Sequence, residues 1–178
     1  GNTLVGALAG KSITTGGNNT ALGYNALITE DTGSRNVAIG TSALATLNFA
    51  GNAYNVAIGY NTGIYMSTGV QNTLIGAVAG DALTTGSYNT AVGQNALGAT
   101  TIGTRNVAVG QNALAVNILT DRNVAIGTAA LESLVGDGST ANQLTYNTAI
   151  GYAAGSAITS GTGNTLIGGL AGDAINSG

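Results

Sequence analysis

The sequence predicts an all-β protein, a parallel β-solenoid of ten coils with a usual length of 17 residues. Three observations predict it. A phrase of the form Asn-[Thr/Val]-[Ala/Leu]-[Ile/Leu/Val]-Gly returns ten times. Its glycines recur too often for a helix. Its short apolar runs alternate with period two, as a strand requires.

The phrase begins at Asn2, Asn19, Asn36, Asn55, Asn72, Asn89, Asn106, Asn123, Asn147 and Asn164, at spacings of 17, 17, 19, 17, 17, 17, 17, 24 and 17. These copies cover residues 1–178 and describe a single repeat domain. No terminal copy departs from the pattern as a capping coil would, so the rod is expected to be a segment of a longer fibre.

Each coil carries Gly at its fifth position, and an interior Gly costs a helix about 1 kcal/mol relative to Ala. A strand accommodates the phrase better. In Asn36-Val37-Ala38-Ile39-Gly40 and Asn106-Val107-Ala108-Val109-Gly110 the second and fourth residues share one face, and the third points the other way. The β-branched pair is expected to form the inner face. Gly40 and Gly110 would permit the bend into a second short strand, closed by a turn.

Four columns of the repeat refine this expectation. Where the ninth position is Gly (Gly10, Gly63, Gly80, Gly155, Gly172), the twelfth is large and apolar: Ile13, Met66, Leu83, Ile158, Ile175. Where the ninth is Leu, the twelfth is free to be Glu30, Thr100 or Asn117. The two positions compete for one volume, as a close-packed interior demands. The Asn column is expected at a turn, with its amides stacked as a ladder along the rod. The eighth position is Ala in nine coils, Ala43 and Ala113 among them, and Thr62 in the other. That column is expected to mark either crowding within one thin coil or, the favoured reading, a surface where neighbouring chains meet.

Composition excludes several functions. Only 6% of residues are charged, against roughly 25% in an ordinary soluble domain. A net charge of −3 supplies no basic field for nucleic acid. No run approaches the roughly 20 apolar residues of a spanning helix. With no His or Cys and seven scattered carboxylates, neither a catalytic site nor a metal site is expected. No cofactor is implied. A glycosidase pair drawn from Asp121, Glu132 or Asp137 would need to assemble between chains.

The "NVAIG" phrase resembles the head repeats of trimeric autotransporter adhesins of the YadA type, and "NTALGYNAL" and "TTGSYNTAVG" are more similar to repeats of phage-type tail fibres. The resemblance spans all ten copies, although the adhesin heads use shorter coils. It implies a left-handed β-roll, a homotrimer, and an extracellular place on a virion or cell surface where the fibre mediates or supports host attachment. A surface glycan or host receptor is the implied partner.

Recognition is expected where the phrase is interrupted, because insertions in a solenoid become loops. The third copy gains two residues, bringing Phe49 beside Tyr54. The eighth gains seven between Glu132 and Tyr146, including Asp137. Phe49, Tyr54, Asp137 and Tyr146 are therefore the candidate ligand-binding residues, the favoured alternative being that both insertions are simply tolerated at the surface. The other Tyr and the three Arg residues flank turns and are expected as rim packing and solvated edge charges. A ligand-binding solenoid, for glycan or ice, is the alternative function. Thr14–Thr15, Thr84–Thr85 and Thr100–Thr101 suggest an ice face, but Asp31, Asn48 and Ile118 interrupt that column.

Overall fold

The computed structural model describes residues 1–137 and 142–177. They form a parallel β-solenoid of about nine turns, with no helix among the described residues. One three-residue strand per coil builds a ten-stranded parallel sheet: β1 (Thr3–Val5), β2 (Thr20–Leu22), β3 (Val37–Ile39), β4 (Val56–Ile58), β5 (Thr73–Ile75), β6 (Thr90–Val92), β7 (Val107–Val109), β9 (Val124–Ile126), β11 (Thr148–Ile150) and β12 (Thr165–Ile167). Equivalent residues pair across every rung, for example Val37 with Val56 and Thr73 with Thr90. Each rung advances about 4.8 Å, so the nine spacings make a rod about 43 Å long.

The second strand expected in every coil does not form. Among the described residues further parallel pairing is confined to β8 (Thr120–Asp121) with β10 (Gln143–Leu144) and an isolated bridge between Ser34 and Asn52. The rest of each coil is a series of tight turns, because the seventh and ninth residues both take left-handed backbone conformations: Ser42 and Leu44 have φ of 56° and 51°. These turns still bond coil to coil through the backbone. The Leu27 N–H donates to the Ala43 carbonyl, and Leu44 to Thr62, both at 3.0 Å.

The core lies on the opposite side of the sheet strands from the one expected. Third-position residues point inward: Ala21, Ala38, Ala57, Leu74, Ala91, Ala108, Ala125 and Ala149 are fully buried. The second and fourth residues, Val37 and Ile39 or Val107 and Val109, face outward and are only partly buried. The coil is so narrow that its interior takes Ala at most third positions. Seven of the nine eighth-position alanines, Ala43 and Ala113 included, complete that interior and are fully buried within one chain, while Ala9 and Ala171 in the end coils are partly buried. They line the core and not a contact between chains.

Volume is traded among three positions of the coil, not two. A Cβ on Gly80 would lie 2.8 Å from Leu83 Cδ1 and 3.0 Å from Leu74 Cδ2; one on Gly155 would lie 2.8 Å from Leu166 Cδ1. Leu at the third position thus excludes a side chain at the ninth of its own coil or the preceding one. The polar twelfth-position residues are not free. Glu30, Thr100 and Asn117 are buried, and each has a backbone partner: Glu30 Oε1 accepts from Gly33 N–H at 2.8 Å, and Asn117 Oδ1 from Thr120 N–H at 3.0 Å.

The Asn column does form the expected ladder. In nine successive rungs the Asn backbone N–H donates to Oδ1 of the preceding Asn at 2.9–3.1 Å. In most coils Nδ2 donates to the carbonyl 14 residues on, as Asn72 does to Gly86 at 3.0 Å and Asn106 to Thr120 at 2.8 Å. Asn36 and Asn123, whose coils carry the insertions, bond nearer carbonyls instead, those of Ser34 and Asp121. The left-handed turn belongs to the residue before each Asn: Arg35, Tyr54, Gln71, Tyr88, Arg105, Arg122 and Tyr146 have φ of 52–65°.

Candidate functional site

Two surfaces stand out from the scaffold. The first is the outward face of the ten-stranded sheet. Its fourth-position column reads Val5, Leu22, Ile39, Ile58, Ile75, Val92, Val109, Ile126, Ile150, Ile167, aliphatic in every coil. Ile75 remains 37% exposed and Ile167 70%. The second-position column beside it contains only Thr and Val. Neither carries a charge.

The second surface is the edge formed by the residues that precede the Asn ladder. The backbone there is left-handed and turns the side chain out at a corner of the coil. Stacked rung on rung, these residues read Asn18, Arg35, Tyr54, Gln71, Tyr88, Arg105, Arg122, Tyr146. All three arginines of the chain stand in this one column. Each covers a tyrosine ring on a neighbouring rung: Arg35 over Tyr54 at 5.4 Å, Arg105 over Tyr88 at 5.0 Å and Arg122 over Tyr146 at 5.5 Å from the centroid. Arg35 and Arg122 also donate through Nη1 to the tyrosine hydroxyls, at 2.8 and 2.7 Å. These are ordered cation–π pairs, and the rings stay about half exposed.

The four candidate ligand-binding residues do not meet at one place. Tyr54 and Tyr146 share the edge column, five rungs and about 24 Å apart. Tyr54 also lines, with Gln71, an open hollow of about 450 Å³. Phe49 is half-buried and packs against the core, with Gly51 beside its ring. Asp137 is exposed on the second insertion, where its N–H donates to Gln143 Oε1 at 2.8 Å and its carboxylate accepts from Gln143 Nε2. The centre of that insertion, residues 138–141, lies outside the described residues. The Arg–Tyr pairing escaped the sequence argument because the partners are 17 to 24 residues apart. The signal was present in the aligned repeat: each Arg stands one rung from a Tyr in one column.

Two carboxylates elsewhere, Asp121 and Glu30, serve the backbone. Asp121 is buried, and it accepts from the Thr104 N–H at 2.6 Å and from the Thr104 hydroxyl at 3.0 Å. Burial raises the carboxyl pKa of Glu30 above its ordinary value, against the lowering effect of backbone N–H groups from Gly33, Phe49 and Asp31. Its Oε2 is buried without a hydrogen-bond partner. No group of three or more metal-ligating side chains occurs among the described residues.

No family model, curated protein or solved structure matches the chain. The fold therefore defines its class, a parallel β-solenoid repeat protein with an aliphatic sheet face and an Arg–Tyr edge.

Proposed function

We propose that this chain is a non-enzymatic structural and adhesive fibre protein, displayed outside the cell on a virion or cell surface, where it mediates or supports attachment. In this reading three copies associate side by side through their outward sheet faces. The observation that carries it is the fourth-position column, aliphatic ten times out of ten while facing away from the chain's own core. A column exposed to water has no reason to exclude polar residues in every coil. The neighbouring sixth-position column, also outside, holds Tyr24, Thr41, Gln94 and Gln111 among others.

Geometry favours another copy of the same chain as the partner. The aliphatic side chains recur about every 4.8 Å, and only a surface with the same rise stays in phase with them along the rod. A strip about 10 Å wide and 43 Å long covers about 430 Å², the size of the largest apolar patch on a typical monomer, which is often functional. The resemblance to trimeric fibre and adhesin repeats supplies the number three.

Sedimentation equilibrium tests the proposal. The expected mass is three times the 17.2 kDa of the chain. Placing a charge on the face, as in Ile75→Glu, is expected to dissociate the assembly. A folded species of 17.2 kDa across the micromolar range would overturn it.

A further inference from the structure

The second-position column of the sheet face, from Thr3 to Thr165, reads Thr, Thr, Val, Val, Thr, Thr, Val, Val, Thr, Thr. These blocks of two recur every four rungs, or about 19 Å. Nothing inside the chain requires that order. Val37 and Val56 belong to coils with different interiors, Leu44 in one and Gly63 in the other, and Thr90 and Thr73 divide the same way between Leu97 and Gly80. From Thr20 to Thr148 the second-position side chain is half-buried whether it is Thr or Val. Sheet pairing is indifferent too, since Val37 pairs with Val56 on one side and Thr20 on the other. Hydroxyls elsewhere in the coil, such as those of Thr29, Thr62 and Thr100, donate to carbonyls of the next coil. Among the described residues the six second-position hydroxyls make no hydrogen bond.

We propose that this column fixes the axial register between copies of the chain packed through their sheet faces, so that the partner it fits is a second copy in phase. This register rests on the side-by-side association proposed above. The fourth-position column is aliphatic in every coil, so it attracts a neighbouring chain at any offset of whole rungs. The second-position column tells those offsets apart. With the sheet faces turned to a common axis, residues at the same height meet. In phase, Thr meets Thr and Val meets Val on every rung. Facing hydroxyls satisfy one another, because each is both donor and acceptor. A slip of one rung sets Thr against Val in four of the nine rungs still in contact, and a slip of two does so in all eight. Each such hydroxyl loses water and gains no partner. A slip of four restores the match but leaves only six rungs in contact. The column reads the same from both ends, so polarity comes from rotation about the rod axis, which keeps the chains parallel. A buried Asn sets register in coiled coils by the same physics.

The chain has no Cys, so Thr41→Cys or Gln94→Cys, each at an exposed sixth position, carries a single spin label. Electron–electron distance measurement on the assembled chain is expected to give one narrow interchain distance, the same from either site. Several distances, or a longer one from Thr41 than from Gln94 as antiparallel neighbours would give, would overturn the proposal. The second measurement uses a chain with Thr and Val exchanged at all ten second positions, Thr20→Val and Val37→Thr among them. Both residues already occupy this position in the repeat, and the parent's own distances remain a test whatever the exchanged chain does. Parent with a nitroxide and exchanged chain with a gadolinium label, both at Thr41→Cys, are refolded together, so that only mixed pairs are read. Parent refolded with parent, labelled the same way, sets the reference. Mixed pairs at the in-phase distance are expected to be depleted about tenfold or more against that reference. Mixed pairs offset by two rungs, about 9.6 Å along the rod, keep like against like and support the register. Undepleted mixed pairs at the in-phase distance would overturn it. That result with a trimeric parent refutes only the register, whereas a folded parent monomer refutes the association on which it rests.

Discussion

Replacing Asn72 by Ala tests whether the amide ladder holds the rod together. Asn72 Oδ1 accepts the backbone N–H of Asn89 at 2.9 Å, and its Nδ2 donates to the Gly86 carbonyl at 3.0 Å. Ala at this position keeps the backbone bond to Asn55 Oδ1 at 2.9 Å but removes these two bonds, together with the longer ones from Nδ2 to Asn55 Oδ1 and Met66 Sδ and from Asn89 Nδ2 to Oδ1. Asn89 Nδ2 keeps its own partner, the Gly103 carbonyl at 2.9 Å. The Asn89 N–H and the Gly86 carbonyl are left without the Asn72 amide, next to a residue with no exposed surface. An unsatisfied buried polar group costs about 1–3 kcal/mol, so the two together cost about 2–6 kcal/mol. Asn2→Ala deletes the equivalent bonds, to Asn19 N–H and Gly16 carbonyl, but from an exposed residue where water can substitute. Its expected cost is about 1 kcal/mol or less. Urea unfolding followed by far-UV circular dichroism, at one chain concentration because association shifts stability, measures the difference. Hydrogen exchange at Asn89 reads the same loss locally, since about 1.4 kcal/mol is a factor of ten in protection. A variant within about 0.5 kcal/mol of the parent, with Asn89 protection unchanged, would refute a structural role for the ladder.

Three further outcomes follow from the same geometry. Gly80→Leu is expected to destabilise by about 1–3 kcal/mol through overpacking, and Leu74→Ala by about 2–5 kcal/mol through a cavity. The double variant recreates the Ala91 and Leu97 pattern of the next coil, so thermal unfolding should show the pair costing clearly less than the sum; strict additivity would sink the three-way exchange of volume. Gly76→Ala is expected to lose several kcal/mol or fail to fold, because its φ is 134° and a Cβ would lie 2.5 Å from the Gly93 carbonyl oxygen; a stable variant at the parent melting temperature contradicts this. Glu30 holds its proton more tightly folded than unfolded, so its contribution is full below its ordinary value near 4.5 and is lost as pH rises through the raised folded value. Glu30→Gln should flatten that decline and raise the melting temperature on its alkaline side, and an unchanged pH profile would show that Glu30 does not titrate with unfolding.

Much of the candidate site could be located before any coordinate. Aligning on Asn places Arg35 one rung from Tyr54, Tyr88 one rung from Arg105, and Arg122 one rung from Tyr146. What alignment cannot supply is the corner geometry. Left-handed φ at a residue before Asn is not expected of Arg or Tyr, and it is this turn that sends both side chains outward to pair. The insertions misdirected attention for a related reason. Phe49 is the chain's only phenylalanine, and a loop aromatic suggests a ligand, yet in this coil the ring packs back onto the core.

The sequence alone determined the period, the parallel stacking, the need for Gly at the fifth position and the exchange of volume between ninth and twelfth residues. These follow from repetition and from local sterics, which a single chain's residues state directly. Only the tertiary structure decided which side of the strand is the inside. Val37-Ala38-Ile39 has an apolar residue at every position, so alternation defines two faces and does not rank them. The usual preference would bury the larger pair. A coil turning every 17 residues encloses too little space for that, so most third positions take Ala inside while the larger aliphatics stand outside. The same geometry turns an expected core into a surface, and the polar residues Glu30 and Asn117 into part of the interior.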